Sequence, residues 1–104
     1  MRKVILNFQG LYSREAIHEY IARQMQFPHY YGRNLDALFD CLTDIDQPTA
    51  VGCYFPEEEG LEKEDLDEVR RNRMKDYLER LQETFLDAEE ENRNLAVFFG
   101  RKMS

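Results

Sequence analysis

Basic charge is what this sequence is short of: 14 Lys and Arg stand against 21 Asp and Glu, giving a formal charge of −7. A chain of that sign repels phosphate backbones at neutral pH, so a nucleic-acid ligand is disfavoured and a basic partner favoured. Charge alone is weak evidence, because acidic surfaces also serve solubility. Long apolar runs are missing as well. No stretch approaches the roughly 20 residues of a membrane span, and the N-terminus enters MRKVILNF without a signal peptide's apolar core. No membrane partner is expected, and a reducing cytoplasm fits. Cysteine is scarce: Cys41 and Cys53 do not cluster with His18 and His29 at any metal-binding spacing, so no metal or cofactor is expected. Repeats, low-complexity tracts and linkers are absent too. The 104 residues are expected to form one domain, 1–104, that is monomeric when free and frayed after about residue 100.

What is present suffices for a core. Hydrophobic residues make up 42% of the chain, and six Tyr with seven Phe supply large buriable surfaces. Lys3 to Phe8 (KVILNF) reads as a buried strand closed by Gln9-Gly10. Ser13 is a good cap for a helix whose Ile17, Tyr20, Ile21 and Met25 recur at helical spacing until Phe27-Pro28 stops it. Asn34 caps a second helix, in which Leu35, Leu38, Leu42 and Ile45 repeat at three- and four-residue intervals up to Asp46-Gln47-Pro48. Thr49 to Phe55 (TAVGCYF) is a second strand, ended by Pro56. From Glu57 to Glu91 a strongly acidic helical region follows, with an intermittent stripe from Leu66 and Val69 to Phe85 and Ala88, expected as two helices broken near Arg70 to Arg73. Leu95 to Phe99 (LAVFF) is the third strand, ending at Gly100. Strands separated by helices, and apolar on both faces, call for an α/β fold: a three-stranded parallel sheet packed with about four helices.

One stripe is not needed by that fold. At 100° per residue, Leu35, Leu38, Leu42 and Ile45 face the core, while Asp36, Phe39, Asp40 and Thr43 lie opposite. Like charges at i and i+4 cost roughly 0.2–0.5 kcal/mol, and only Asp36, in the first turn, gains from the helix dipole. An aromatic flanked by carboxylates on a rigid helix is what an anchor for a cationic pocket looks like. The competing reading tucks Phe39 under the preceding Tyr30-Tyr31 loop and leaves the aspartates as solubilising residues. Spacing alone leaves the two open.

The contiguous stretch Tyr30-Tyr31-Gly32-Arg33-Asn34-Leu35-Asp36-Ala37-Leu38-Phe39-Asp40-Cys41-Leu42-Thr43 resembles the signature YYGxNLDALxDCL of the barstar family of ribonuclease inhibitors. The order of elements is similar to that family across nearly the whole chain. The resemblance implies an intracellular inhibitor rather than an enzyme, with a basic ribonuclease as partner. Asp40 would stand in for a substrate phosphate, Asp36 would pair with a base at the cleft edge, and Tyr30 would pack on the enzyme. Gly32 and Asn34 would shape the loop, Thr43 would close the stripe, and Asp87 on the last helix would add an acid, with Glu83, Glu89, Glu90 and Glu91 as alternatives after a small shift. Phe39 stands where the best-known member has Trp, keeping the anchor without an indole donor. Arg33 departs from an acid at this position, and would repel the usual cationic cleft.

Other classes remain to be weighed. An enzyme with Cys41 as nucleophile and His29 or His18 as base lacks a cation next to the thiol; His18 is expected to be solvated among polar neighbours and His29, beside the Tyr30-Tyr31 loop, to line the interface. A metal site is disfavoured, because Glu57-Glu58-Glu59 or Glu89-Glu90-Glu91 cannot all point at one ion from a helix. The runner-up keeps the fold and changes the target, to a secreted toxin nuclease (making the chain its immunity protein) or another basic enzyme.

Overall fold

A computed structural model of the chain describes residues 1–55 and 67–100. In order these form β1 (Arg2–Asn7), α1 (Arg14–Met25), α2 (Leu35–Thr43), β2 (Thr49–Tyr54), α3 (Glu68–Glu91) and β3 (Leu95–Gly100). The strands make a parallel sheet in the order β1-β2-β3, and each successive residue of β1 has its partner in β2 and then in β3, from Arg2, Thr49 and Leu95 to Asn7, Tyr54 and Gly100. The fold class read from the sequence is therefore the one observed.

The two faces of the sheet differ more than the apolar strands suggested. Val4, Leu6, Val51, Cys53 and Leu95 are buried, joined in one core with Ile17, Ile21 and Met25 of α1, Leu38 and Leu42 of α2, and Leu81 and Phe85 of α3. On the alternate face Ile5 is 48% and Phe98 61% exposed. The reason is topological. Right-handed crossovers put helices on both faces only if the strand order reverses direction, and the order here never reverses. Tyr54 fills part of the outer face; a Cβ on Gly100 would come within 2.7 Å of its ring, which is why glycine stands there.

The predicted caps are made. Ser13 Oγ accepts from Ala16 N at 3.1 Å, and Asn34 Oδ1 accepts from Ala37 N at 2.7 Å. Two helix boundaries need correction. α2 stops at Thr43, short of the expected Asp46, because the side-chain amide of Asn92, beyond α3, donates to Leu42 O and Ile45 O at 3.0 Å and lies 3.3 Å from Thr43 O. Those carbonyls are satisfied from across the fold instead of by another helical turn. α3 runs unbroken through Arg70 to Arg73 from its cap Asp67, whose side chain accepts from Arg70 N at 2.8 Å. With neither Pro nor Gly between Glu68 and Glu91, nothing in the backbone forces a break. Val69, counted in the apolar stripe, is exposed, while Tyr77, not counted, is buried. Leu66, the triplet Glu57-Glu58-Glu59 and the tail after Gly100 lie outside the described residues.

Candidate protein-binding face

α1 ends on Gln26, in the left-handed conformation at φ 59°, and the chain then crosses to α2 in eight residues. Tyr31 pins this loop: its N–H donates to Pro28 O at 3.0 Å, its ring lies 5.1 Å from that of Phe27, and only 5% of it is exposed. Burial pushes its hydroxyl well above the usual tyrosine range, with the neighbouring Cys41 and Tyr77 adding to the effect. Tyr30, the adjacent residue, is 78% exposed and stands edge-on to His29. The paired tyrosines thus divide the two roles that were ambiguous in sequence, one packing and the other facing solvent. Gly32 passes close to α2, where a Cβ would sit 3.2 Å from that of Ala37, and the Asn34 amide reaches back to Gly32 O at 3.3 Å.

Asp36 and Asp40 are exposed along α2. Phe39 between them is half-buried and packs against the core, so the outward stripe is two carboxylates with an aromatic at its margin, rather than three equally exposed groups. Thr43, half-buried, bonds back to its own helix, donating to Phe39 O at 3.0 Å and lying 3.1 Å from Asp40 O. Asp44 extends the acidic stripe by the same four-residue step, a signal that was available in the sequence and passed over.

Tyr30, Gly32, Asp40 and Asp44 line one cleft of about 410 Å³ between the loop and α2, floored by Tyr31 and Cys41. Arg2 also borders it, with its guanidinium donating to Met25 O at the end of α1 at 2.8 Å. Cys41 is a poor nucleophile here: burial first, then Asp44 and Asp40, push its thiol pKa up and keep it protonated. Cys53, in the core, is pushed to about 12 by burial.

Asp87 lies on α3, exposed and away from that cleft's lining. Its flank follows from its neighbours. Tyr77 reaches towards α1 and the loop through His18, whereas Glu89 Oε2 accepts from Val97 N of β3 at 2.6 Å. At 100° per residue Asp87 is about 80° from Tyr77 and about 160° from Glu89, on the side away from β3. Glu89 is thereby tied to the sheet through Val97.

Arg33, held at φ 54°, pairs through its guanidinium with Glu19 of α1 at 2.5 Å, both side chains about half exposed. The reading of one other residue is overturned. His18 is completely buried instead of solvated. It stands three residues before Ile21 and seven before Met25, so its spacing put it on the core face all along, and two tyrosine hydroxyls satisfy its ring. Among the described residues no group of three or more His, Cys, Asp or Glu side chains is arranged to hold a metal ion, and no helix is long and apolar enough to cross a membrane.

Among the described residues a sequentially ordered parallel sheet carries its helices on one face, with an acidic helix and loop beside a cleft, and the whole is a small α/β domain. The family model described as Barstar (barnase inhibitor) matches residues 1–100, and the chain belongs to the barstar family. It is also 47% identical over 52 residues to the Bacillus subtilis (strain 168) protein named "Putative ribonuclease inhibitor YrdF", a match covering 49% of this chain and 57% of that protein. The chain thus spans little more than half the length of that relative.

Proposed function

We propose that the chain is an intracellular inhibitor of a basic ribonuclease, which it blocks by seating Asp40 among the cationic groups of the enzyme's active site. The observation that carries this reading is the grouping of exposed Tyr30 with Asp40 and Asp44 around one cleft, on backbone fixed by the buried Tyr31 and the Asn34 cap. A carboxylate held on a helix enters a cationic site with little further ordering, so the cost of immobilising it is already met. Asp36 and Asp87 extend the negative field around the contact and accelerate encounter, an effect that weakens with salt. Gly32 and Asn34 set the loop's approach to α2, Phe39 backs the stripe, and Thr43 locks its last turn.

The test is inhibition of a barnase-type ribonuclease. Stoichiometric inhibition at micromolar protein is expected, and full enzyme activity in its presence would overturn the reading. Asp40→Ala should weaken binding by about 2–5 kcal/mol, a range that the barnase–barstar pair itself helped to set, because the enzyme's buried charges lose their partner. Cys41→Ala should bind within about threefold of the parent, since the thiol is uncharged. Equal losses for the two would remove Asp40 from its assigned role.

A further inference from the structure

Behind the exposed face lies a polar bridge that docking does not use. Nδ1 of the fully buried His18 is 2.6 Å from the Tyr31 hydroxyl, and its Nε2 is 2.5 Å from the Tyr77 hydroxyl. One ring therefore joins α1, the loop before α2, and α3. A neutral imidazole has one N–H and one lone pair, so one tyrosine donates to the ring while the other accepts from it. Either tautomer satisfies both ring nitrogens. An imidazolium has two N–H groups and no lone pair: both tyrosines must then accept, and the one that had been donating must turn its proton to a new acceptor in a buried site.

Among the described residues no acid is hydrogen-bonded to this ring. Facing it are the hydroxyls of Tyr31 and Tyr77, and next to these lie the Cys41 thiol of α2 and two cations, Arg14 of α1, 4.8 Å from the Tyr77 ring centroid, and Arg80 of α3. On α1 itself Glu15 and Glu19 are exposed, and Glu19 is paired with Arg33. Burial accordingly lowers the His18 pKa from its usual 6.5. In that window the folded chain binds fewer protons than the unfolded one. Stability is thus complete above about pH 6.5 and falls as the pH drops below it, down to the folded-state pKa.

We infer that His18 is a positioning residue for the proposed partner-binding loop, and that its protonation releases Tyr31, and with it Tyr30 and Gly32, so that the inhibitor lets go of its enzyme as the pH falls. The inference rests on the docking reading above for its consequence, though not for the loop motion itself. If only the neutral form binds, Kd rises by up to about tenfold per pH unit below the folded-state pKa of His18.

The experiment compares Kd for a barnase-type ribonuclease between about pH 7.5 and pH 5 for the parent protein and His18→Gln, whose amide keeps one donor and one acceptor at every pH. The enzyme's own titration cancels in the ratio of the two constants. Gln is expected to rescue binding at the upper pH to within about threefold, and the parent should then weaken relative to the variant by up to about tenfold for each pH unit below the point where the His18 ring signals titrate. A ratio that stays flat through that titration overturns the switch. A second arm needs neither partner nor variant: in NMR titrations of the free parent protein, the Tyr31 and Gly32 amide signals should move with the His18 ring signals. Loop signals that ignore His18 overturn the positioning role even if the Gln variant fails to fold. Absence of any binding at the upper pH would instead count against the docking reading, and leaves the NMR arm to decide the inference.

Discussion

On one side of α2, Leu38 and Leu42 are fully buried, while on the other Asp36 and Asp40 stand in solvent one turn apart. The first side follows every local rule for a core helix. The second breaks the rule against like charges at four-residue spacing, and Asp44 at the helix end breaks it again, where the dipole disfavours an acid and the last turn has no basic residue. The contrast teaches that stability is written on one face of these nine residues, which leaves the other face free for the recognition proposed above. A change to one face should leave the other intact.

The largest effect is expected on the buried side. Leu42→Ala should lower the unfolding free energy by about 2–5 kcal/mol, measured by denaturant titration, through the cavity it opens. Asp40→Ala should do the reverse and raise it by roughly 0.2–0.5 kcal/mol, by removing the repulsion with Asp36, even as it weakens binding. An Asp40→Ala protein destabilised by more than about 1 kcal/mol would break the separation of the two faces. Next comes Asn92, which touches α2 from neither face but at its end. Asn92→Ala should cost about 1–3 kcal/mol, since it leaves the Leu42 and Ile45 carbonyls without their donor. It should also loosen the turn carrying Asp44, so that a variant with parental affinity would confine recognition to Tyr30, Asp36 and Asp40. The smallest change is expected at Arg33, where the exposed pair with Glu19 contributes less than about 1 kcal/mol. Arg33→Ala should therefore unfold within that margin of the parent. Its binding to a basic ribonuclease should change by less than about threefold, whereas tighter binding would show that Arg33 does face the enzyme after all.

Much of the site was legible because its signals are local. Ser13 and Asn34 announced their helices since a short polar side chain caps amides only two or three residues away. The strands declared themselves as apolar runs between turn residues, and the acidic stripe followed from helical spacing. What escaped was held by distant partners. The end of α2 at Thr43 depends on Asn92, far along the chain, and the partner of Arg33 is Glu19 of α1. His18 looked polar and therefore solvated, because the hydroxyls that satisfy it come from Tyr31 and Tyr77.

By itself, the sequence determined the order and type of the elements, the two helix starts and the excess of acid on α2, all of which rest on propensity, capping and periodicity within a few residues. Only the tertiary structure decided which tyrosine of the Tyr30-Tyr31 pair faces solvent, that Ile5 and Phe98 of the sheet stay exposed, and that a histidine could be buried between two helices and a loop. Each of those outcomes depends on which surface a segment finds opposite it, and the strand order and the packing of helices on the sheet settle that for all segments together.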